Sequence, residues 1–94
     1  DQMVAPAMKG AMGNCYAQLG QLDKASSMLL KAADEADNTT LSPIYLKQAG
    51  EILVKQGKYD DAIKAYTSIK EKYFRSYQAM DIDKYIEQAK LLKK

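Results

Sequence analysis

Residues 57–66 read Gly57-Lys58-Tyr59-Asp60-Asp61-Ala62-Ile63-Lys64-Ala65-Tyr66. The glycine tolerates the left-handed backbone that ends a helix. Asp60 and Asp61 then put negative charge into a first helical turn, where free N–H groups and aligned peptide dipoles favour it. Tyr59, Ala62, Ile63 and Tyr66 follow at intervals of three or four, continued by Ile69 and Tyr73, so one apolar stripe runs along a helix. A helix stop set so close to a helix start makes the corner of a helical hairpin.

The first arm of that hairpin begins at Ser42-Pro43, where a hydroxyl is expected to cap free N–H groups and the proline ring presets the first helical dihedral. Leu46, Ala49, Ile52, Leu53 and Gln56 keep helical spacing up to Gly57. The same corner occurs earlier in the chain. Pro6/Pro43, Gly13/Gly50, Gly20/Gly57, Asp23/Asp60 and Ala25/Ala62 are each 37 residues apart. These residue types dictate backbone geometry or close packing, and a period of about 20–50 residues is the mark of stacked repeats.

In the first unit Pro6 opens a helix whose face carries Met8, Met12, Cys15, Tyr16 and Leu19, and Gly20 ends it. Leu22, Ala25, Met28, Leu29, Ala32 and Ala36 form the partner stripe, and Asp37, Asn38, Thr39 and Thr40 make a polar loop. A fifth helix is expected from about 77 to 92, with Ile82, Tyr85, Ile86, Ala89 and Leu92 inward and Asp81, Asp83, Lys84, Glu87, Gln88 and Lys90 outward. No strand pattern competes.

The 94 residues make one small domain. Fourteen Lys and Arg against twelve Asp and Glu leave a charge of +2, without the clustered basic excess of a polyanion binder. Histidine is absent, which removes the commonest acid–base catalyst and metal ligand. A single cysteine excludes an intrachain disulfide and a thiolate zinc site. The apolar runs are far shorter than the roughly 20 residues that span a bilayer. The sequence starts at Asp1, and it reads as a segment of a larger protein that leaves the compartment open.

Candidate chemistry is thin. The carboxylate pairs Asp34/Glu35, Asp60/Asp61 and Asp81/Asp83 fall in first turns or on solvated faces, where they complement helix dipoles rather than form a catalytic pocket. Asp81-Ile82-Asp83 lacks the glycine and distal glutamate of a calcium loop. Cys15 has no histidine as base and reads as a small buried hydrophobe. Met12 and Met28 sit on core stripes. Lys70, Lys72 and Arg75 lie close to Tyr73, Phe74 and Tyr77, but Glu71 interrupts the run, which reads as compensation of a helix C-terminus rather than as a nucleic-acid surface.

The spacing resembles the tetratricopeptide repeat, a helix–turn–helix unit with the pattern W-x2-L-G-x2-Y, A-x3-F, P. Unit one supplies Lys9, Met12, Gly13, Tyr16, Ala25 and Leu29; unit two supplies Leu46, Ala49, Gly50, Leu53, Ala62 and Tyr66. Residues 57–66 are similar to the corner and second helix of many bacterial members. The sequence departs from the family at the tryptophan position (Lys9, Leu46), at the closing proline (Asp37, Phe74), and in a period of 37 rather than 34. The resemblance implies an all-α solenoid of helical hairpins: repeat one at about 6–39, repeat two at about 43–76 and a capping helix at about 77–92. These five helices form a short right-handed superhelix. Gly13, Gly50, Ala25 and Ala62 are small because the two helices of each hairpin approach closely.

The resemblance further implies a non-catalytic protein–protein interaction module without cofactor or metal, whose first helices line an inner groove. The groove positions carried over are Asn14, Ala17 and Gln18 from unit one, Lys47, Glu51, Val54 and Lys55 from unit two, and Lys84 and Gln88 from the cap. Gly10 stands where the family's clamp for peptide carboxyl termini has lysine, so that clamp is not expected. The expected partner is a moderately polar protein segment, with no nucleic acid and no membrane contact by this segment. The competing reading is structural: Met3, Val4, Met8 and Met12 form a face with nothing upstream to cover it, and this face extends a longer array or makes a homodimer.

Overall fold

A computed structural model describes residues 4–93, with Val4 described through its backbone alone. Five α-helices follow one another: α1 (Val4–Gln18), α2 (Leu22–Ala36), α3 (Ser42–Lys55), α4 (Tyr59–Lys72) and α5 (Ile82–Leu92). A 3-10 helix, Tyr77–Asp81, precedes α5. No strand occurs among the described residues. Each helix packs on its neighbour in sequence, α1 on α2, α2 on α3, α3 on α4 and α4 on α5. The array is a slab 42 × 32 × 15 Å, as expected of stacked hairpins rather than of a closed bundle.

The two hairpin corners are built alike. Gly20 and Gly57 have φ of +79° and +77°. At each corner the glycine N–H donates to the carbonyl three residues back (Ala17, Val54), and the following N–H donates to Tyr16 or Leu53. Left-handed closure of this kind satisfies carbonyls that the helix end leaves free.

Small residues set the interhelical distances. A Cβ on Gly13 would lie 2.8 Å from Leu29 Cγ, and one on Gly50 would lie 2.4 Å from Tyr66 Cε1. The bulk of the second helix thus fills the space that the first helix leaves open. Gly10 does the same between units, where a Cβ would meet Tyr45 Cε1 at 2.4 Å. Ala25, Ala32, Ala49 and Ala62 are wholly buried in the same seams, and Leu29, Tyr66, Ile69 and Ile82 complete the core.

Five expectations are corrected. Ser42 does not cap its own helix: its hydroxyl donates to the Ala33 carbonyl (2.7 Å) and accepts from the Asn38 N–H (3.1 Å), tying the loop to the end of α2. Asn38 instead takes the N–H groups of Thr40 and Leu41 on its side-chain oxygen. The fifth helix is split, because Ser76 accepts from the Ala79 N–H and starts a tighter turn. Tyr77 and Met80 stay over 80% exposed there, while Ala79 packs against the core.

The third and fourth corrections concern α1. Cys15 is exposed rather than buried, and Met12 is 42% exposed rather than core. The side of α1 that enters the protein is its small one, Pro6, Gly10 and Gly13, while its bulky stripe points away from α2. In the last helix Leu92 is likewise exposed, whereas Ile82, Ile86 and Ala89 are buried as expected.

Candidate functional site

The 37-residue offset that relates the hairpins also relates α3 to α5. Tyr45, Ala49 and Ile52 are buried in α3, and their counterparts Ile82, Ile86 and Ala89 are buried in α5. The junctions between units repeat in detail. Gln56 donates to Asp23 in the first turn of α2, and its counterpart Lys93 pairs at 2.7 Å with Asp60 in the first turn of α4. First helices therefore stand side by side in one register, and residues on their free edges form the rows Asn14/Glu51/Gln88 and Gln18/Lys55/Leu92, with Lys47/Lys84 alongside; Gly10, the α1 counterpart of these two lysines, is buried instead.

Two hollows of about 230 Å³ each open along this row and meet at Glu51. The first lies between α3 and the 3-10 helix and is lined by Ile44, Lys47, Gln48, Glu51, Tyr77 and Gln78. The second lies between α3 and α5, with Val54, Lys55, Tyr66, Tyr85 and Gln88 among its walls. The floor is aromatic: the rings of Tyr66 and Tyr85 sit 5.7 Å apart at 49°. Two ammonium groups flank Tyr85, Lys47 at 4.5 Å and Lys84 at 5.4 Å from the ring centre. Lys47 also lies 3.9 Å from Asp81. Burial, reinforced by the charge of Glu51, pushes the Tyr66 hydroxyl well above the usual tyrosine range, so it stays protonated.

Lys47 and Glu51 line the first hollow, and Glu51, Val54, Lys55 and Gln88 line the second. Lys84 borders them through Tyr85 but faces solvent. Asn14 and Gln18 continue the rows on α1, exposed and outside both hollows. Sequence reasoning missed Tyr77, Tyr85 and Ile44. Tyr85 was assigned to the core by its spacing, and it is in fact half-buried, with one side against Tyr66 and the other toward the groove. Met3 lies outside the described residues, and so does the side chain of Val4; Met8 is 59% exposed.

Among the described residues no group of histidine, cysteine, aspartate or glutamate is placed to hold a metal ion. None of the described helices is long and apolar enough to cross a membrane. Several carboxylates are engaged by lysines across the surface, among them Glu35 by Lys9, Asp23 by Lys58 and Asp83 by Lys70 at 2.8 Å. The Asp83 carboxylate raises the Lys70 ammonium above its ordinary range.

Comparison with known families agrees with this geometry. The model of the tetratricopeptide repeat matches residues 46–72, from within α3 to the end of α4. The second hairpin is a tetratricopeptide repeat, and the all-helical array around it has that family's architecture. Such repeats serve in general as protein–protein interaction scaffolds and are typically non-catalytic. No curated protein and no solved structure matches the chain.

Proposed function

We propose that this protein is a non-catalytic scaffold that holds a protein segment along the groove between α3 and α5. The observation that carries the reading is a pair of neighbouring hollows that share Glu51, the second floored by Tyr66 and Tyr85, beside a rim of alternating charge (Lys47, Glu51, Lys55). An extended segment laid there buries apolar atoms on the tyrosines, while its polar groups meet lysine ammonium and glutamate carboxylate. Its affinity rests on a few aromatic contacts within a rim of near-neutral ones.

The test is a selection of displayed random peptides on the intact chain, followed by mapping of amide chemical shifts. Bound peptides are expected to perturb Lys47, Glu51, Val54, Lys55 and Tyr85. Glu51→Lys and Lys55→Glu are expected to weaken them about tenfold, which is about 1.4 kcal/mol, with unchanged unfolding midpoints. Perturbations confined to α1 or to the outer sides of α2 and α4 would refute the groove reading.

A further inference from the structure

The counterparts of Tyr45, Ala49, Ile52 and Gln56 in α1 are Met8, Met12, Cys15 and Leu19. In α3 these positions pack toward α2, and in α5 toward α4. In α1 they are apolar and open to water: Met8 59%, Met12 42% and Leu19 70% exposed, with the Cys15 thiol among them. These four residues and Ala11 and Tyr16 outline one continuous apolar surface of α1. Lys9 is the only charge within α1, and Glu35 of α2 engages it on the other side. A face so free of charge is unusual on a solvated helix and is what a buried seam requires.

We propose that this face is a stacking surface, and that its occupant is the second helix of a further hairpin of the same repeat type, joined ahead of Pro6 at the 37-residue spacing. Continuity with the two existing junctions carries the proposal: α2 covers this register in α3, and α4 covers it in α5. The opposite end of the array has different chemistry. Where α1 and α3 place Gly13 and Gly50 against the second helix of their own hairpin, α5 places Glu87, exposed among Lys84 and Lys90. Glu87 leaves no vacancy like those that Gly13 and Gly50 offer the second helix of their hairpins, so the two ends of the array differ.

Size selects a joined hairpin over a free second copy. A single helix face of six residues is small beside the roughly 800 Å² that a standard stable interface buries on each partner. A covalently joined hairpin sits at high effective concentration and needs no such area. The occupant's chemistry is that of α2 and α4: a small residue followed four positions later by a large apolar one, as in Ala25/Leu29 and Ala62/Tyr66.

Cys15, the sole cysteine, reports directly on coverage, because its counterparts Ile52 and Ala89 are 8% and 0% exposed. In the test chain residues 1–42 are followed directly by residues 6–94, so that Ser42 precedes Pro6 as it natively precedes Pro43, and the cysteine of the added copy is changed to serine. The thiol reaction rate of the original Cys15 with a disulfide reagent is expected to fall at least tenfold relative to the 94-residue chain. The extended chain is expected to melt in one transition at a higher midpoint. Met12→Glu in the original copy should restore the fast reaction, with Met8→Lys as a second variant and far-UV dichroism confirming retained helix in both. An unchanged thiol rate, or two separate melting transitions, would overturn the proposal. So would sedimentation of the 94-residue chain as a dimer that oxidation crosslinks through Cys15, an outcome that assigns the face to a second copy.

Discussion

α1 and α3 hold equivalent places in successive hairpins, yet they differ in what surrounds them. Both begin at a buried proline, both present a glycine to the helix that follows, and both end before a left-handed glycine. α3 has a second helix on each side, α2 and α4, whereas α1 packs on α2. The stripe Tyr45, Ala49, Ile52 is accordingly buried, while Met8, Met12, Cys15 is exposed. Burial in a repeat array therefore depends on a helix's neighbours as much as on its own pattern, because each unit leaves one apolar face for the next to cover.

The sharpest way to break this comparison is to place the same charge at both equivalent positions. Ala49→Glu buries a carboxylate at a site with no exposure, and it is expected to cost more than about 4 kcal/mol and to unfold the chain. Next in size, Tyr66→Ala removes the ring that fills the space over Gly50 and should cost about 3–5 kcal/mol, against about 2–5 kcal/mol for Leu29→Ala in the first hairpin. Urea titrations of the two variants compare the hairpins directly. Gly50→Ala drives a Cβ into that ring and should cost about 1–3 kcal/mol by the same measurement, more than Gly13→Ala, whose nearest atom lies further off.

Tyr66 also links the second hairpin to pH. Its folded hydroxyl titrates above the ordinary value, so the unfolded chain loses this proton first. The contribution is fully present below about pH 10 and declines as pH rises through the folded value, by up to about 1.4 kcal/mol per pH unit. Stability measured between pH 9 and 11 should show this decline, and Tyr66→Phe should remove that part of it. The smallest effect is expected for Met12→Glu, within about 0.5 kcal/mol, since it alters a solvated site. A large loss there would mean that α1 is already covered in solution.

Much of the fold was legible because the signals were local. A proline at a helix start, a glycine able to take positive φ, and aspartates in a first turn each act within a few bonds, and together with the 37-residue offset they place all four corner-to-corner helices. The groove positions came from the resemblance to the repeat family, and Lys47, Glu51, Val54, Lys55 and Gln88 line the two hollows beside α3. Where reasoning from pattern went astray, distant contacts decided the outcome. Ser42 has the chemistry of a helix cap, but the Ala33 carbonyl from the preceding helix lies within reach and takes its proton. Residues 77–81 have helical spacing, but Ser76 captures an N–H, and Tyr77 and Met80 stay exposed on the turn.

The sequence by itself determined that the chain forms antiparallel helices in repeating pairs, because backbone propensities and the apolar period act along the chain without reference to its surroundings. Only the tertiary structure decided which stripe of each helix is buried. Two faces of α1 were eligible, the bulky one of Met8, Met12 and Leu19 and the small one of Gly10 and Gly13. The side chains of Leu29 and Tyr45 chose the small one, since close packing needs one partner's bulk to meet the other's vacancy.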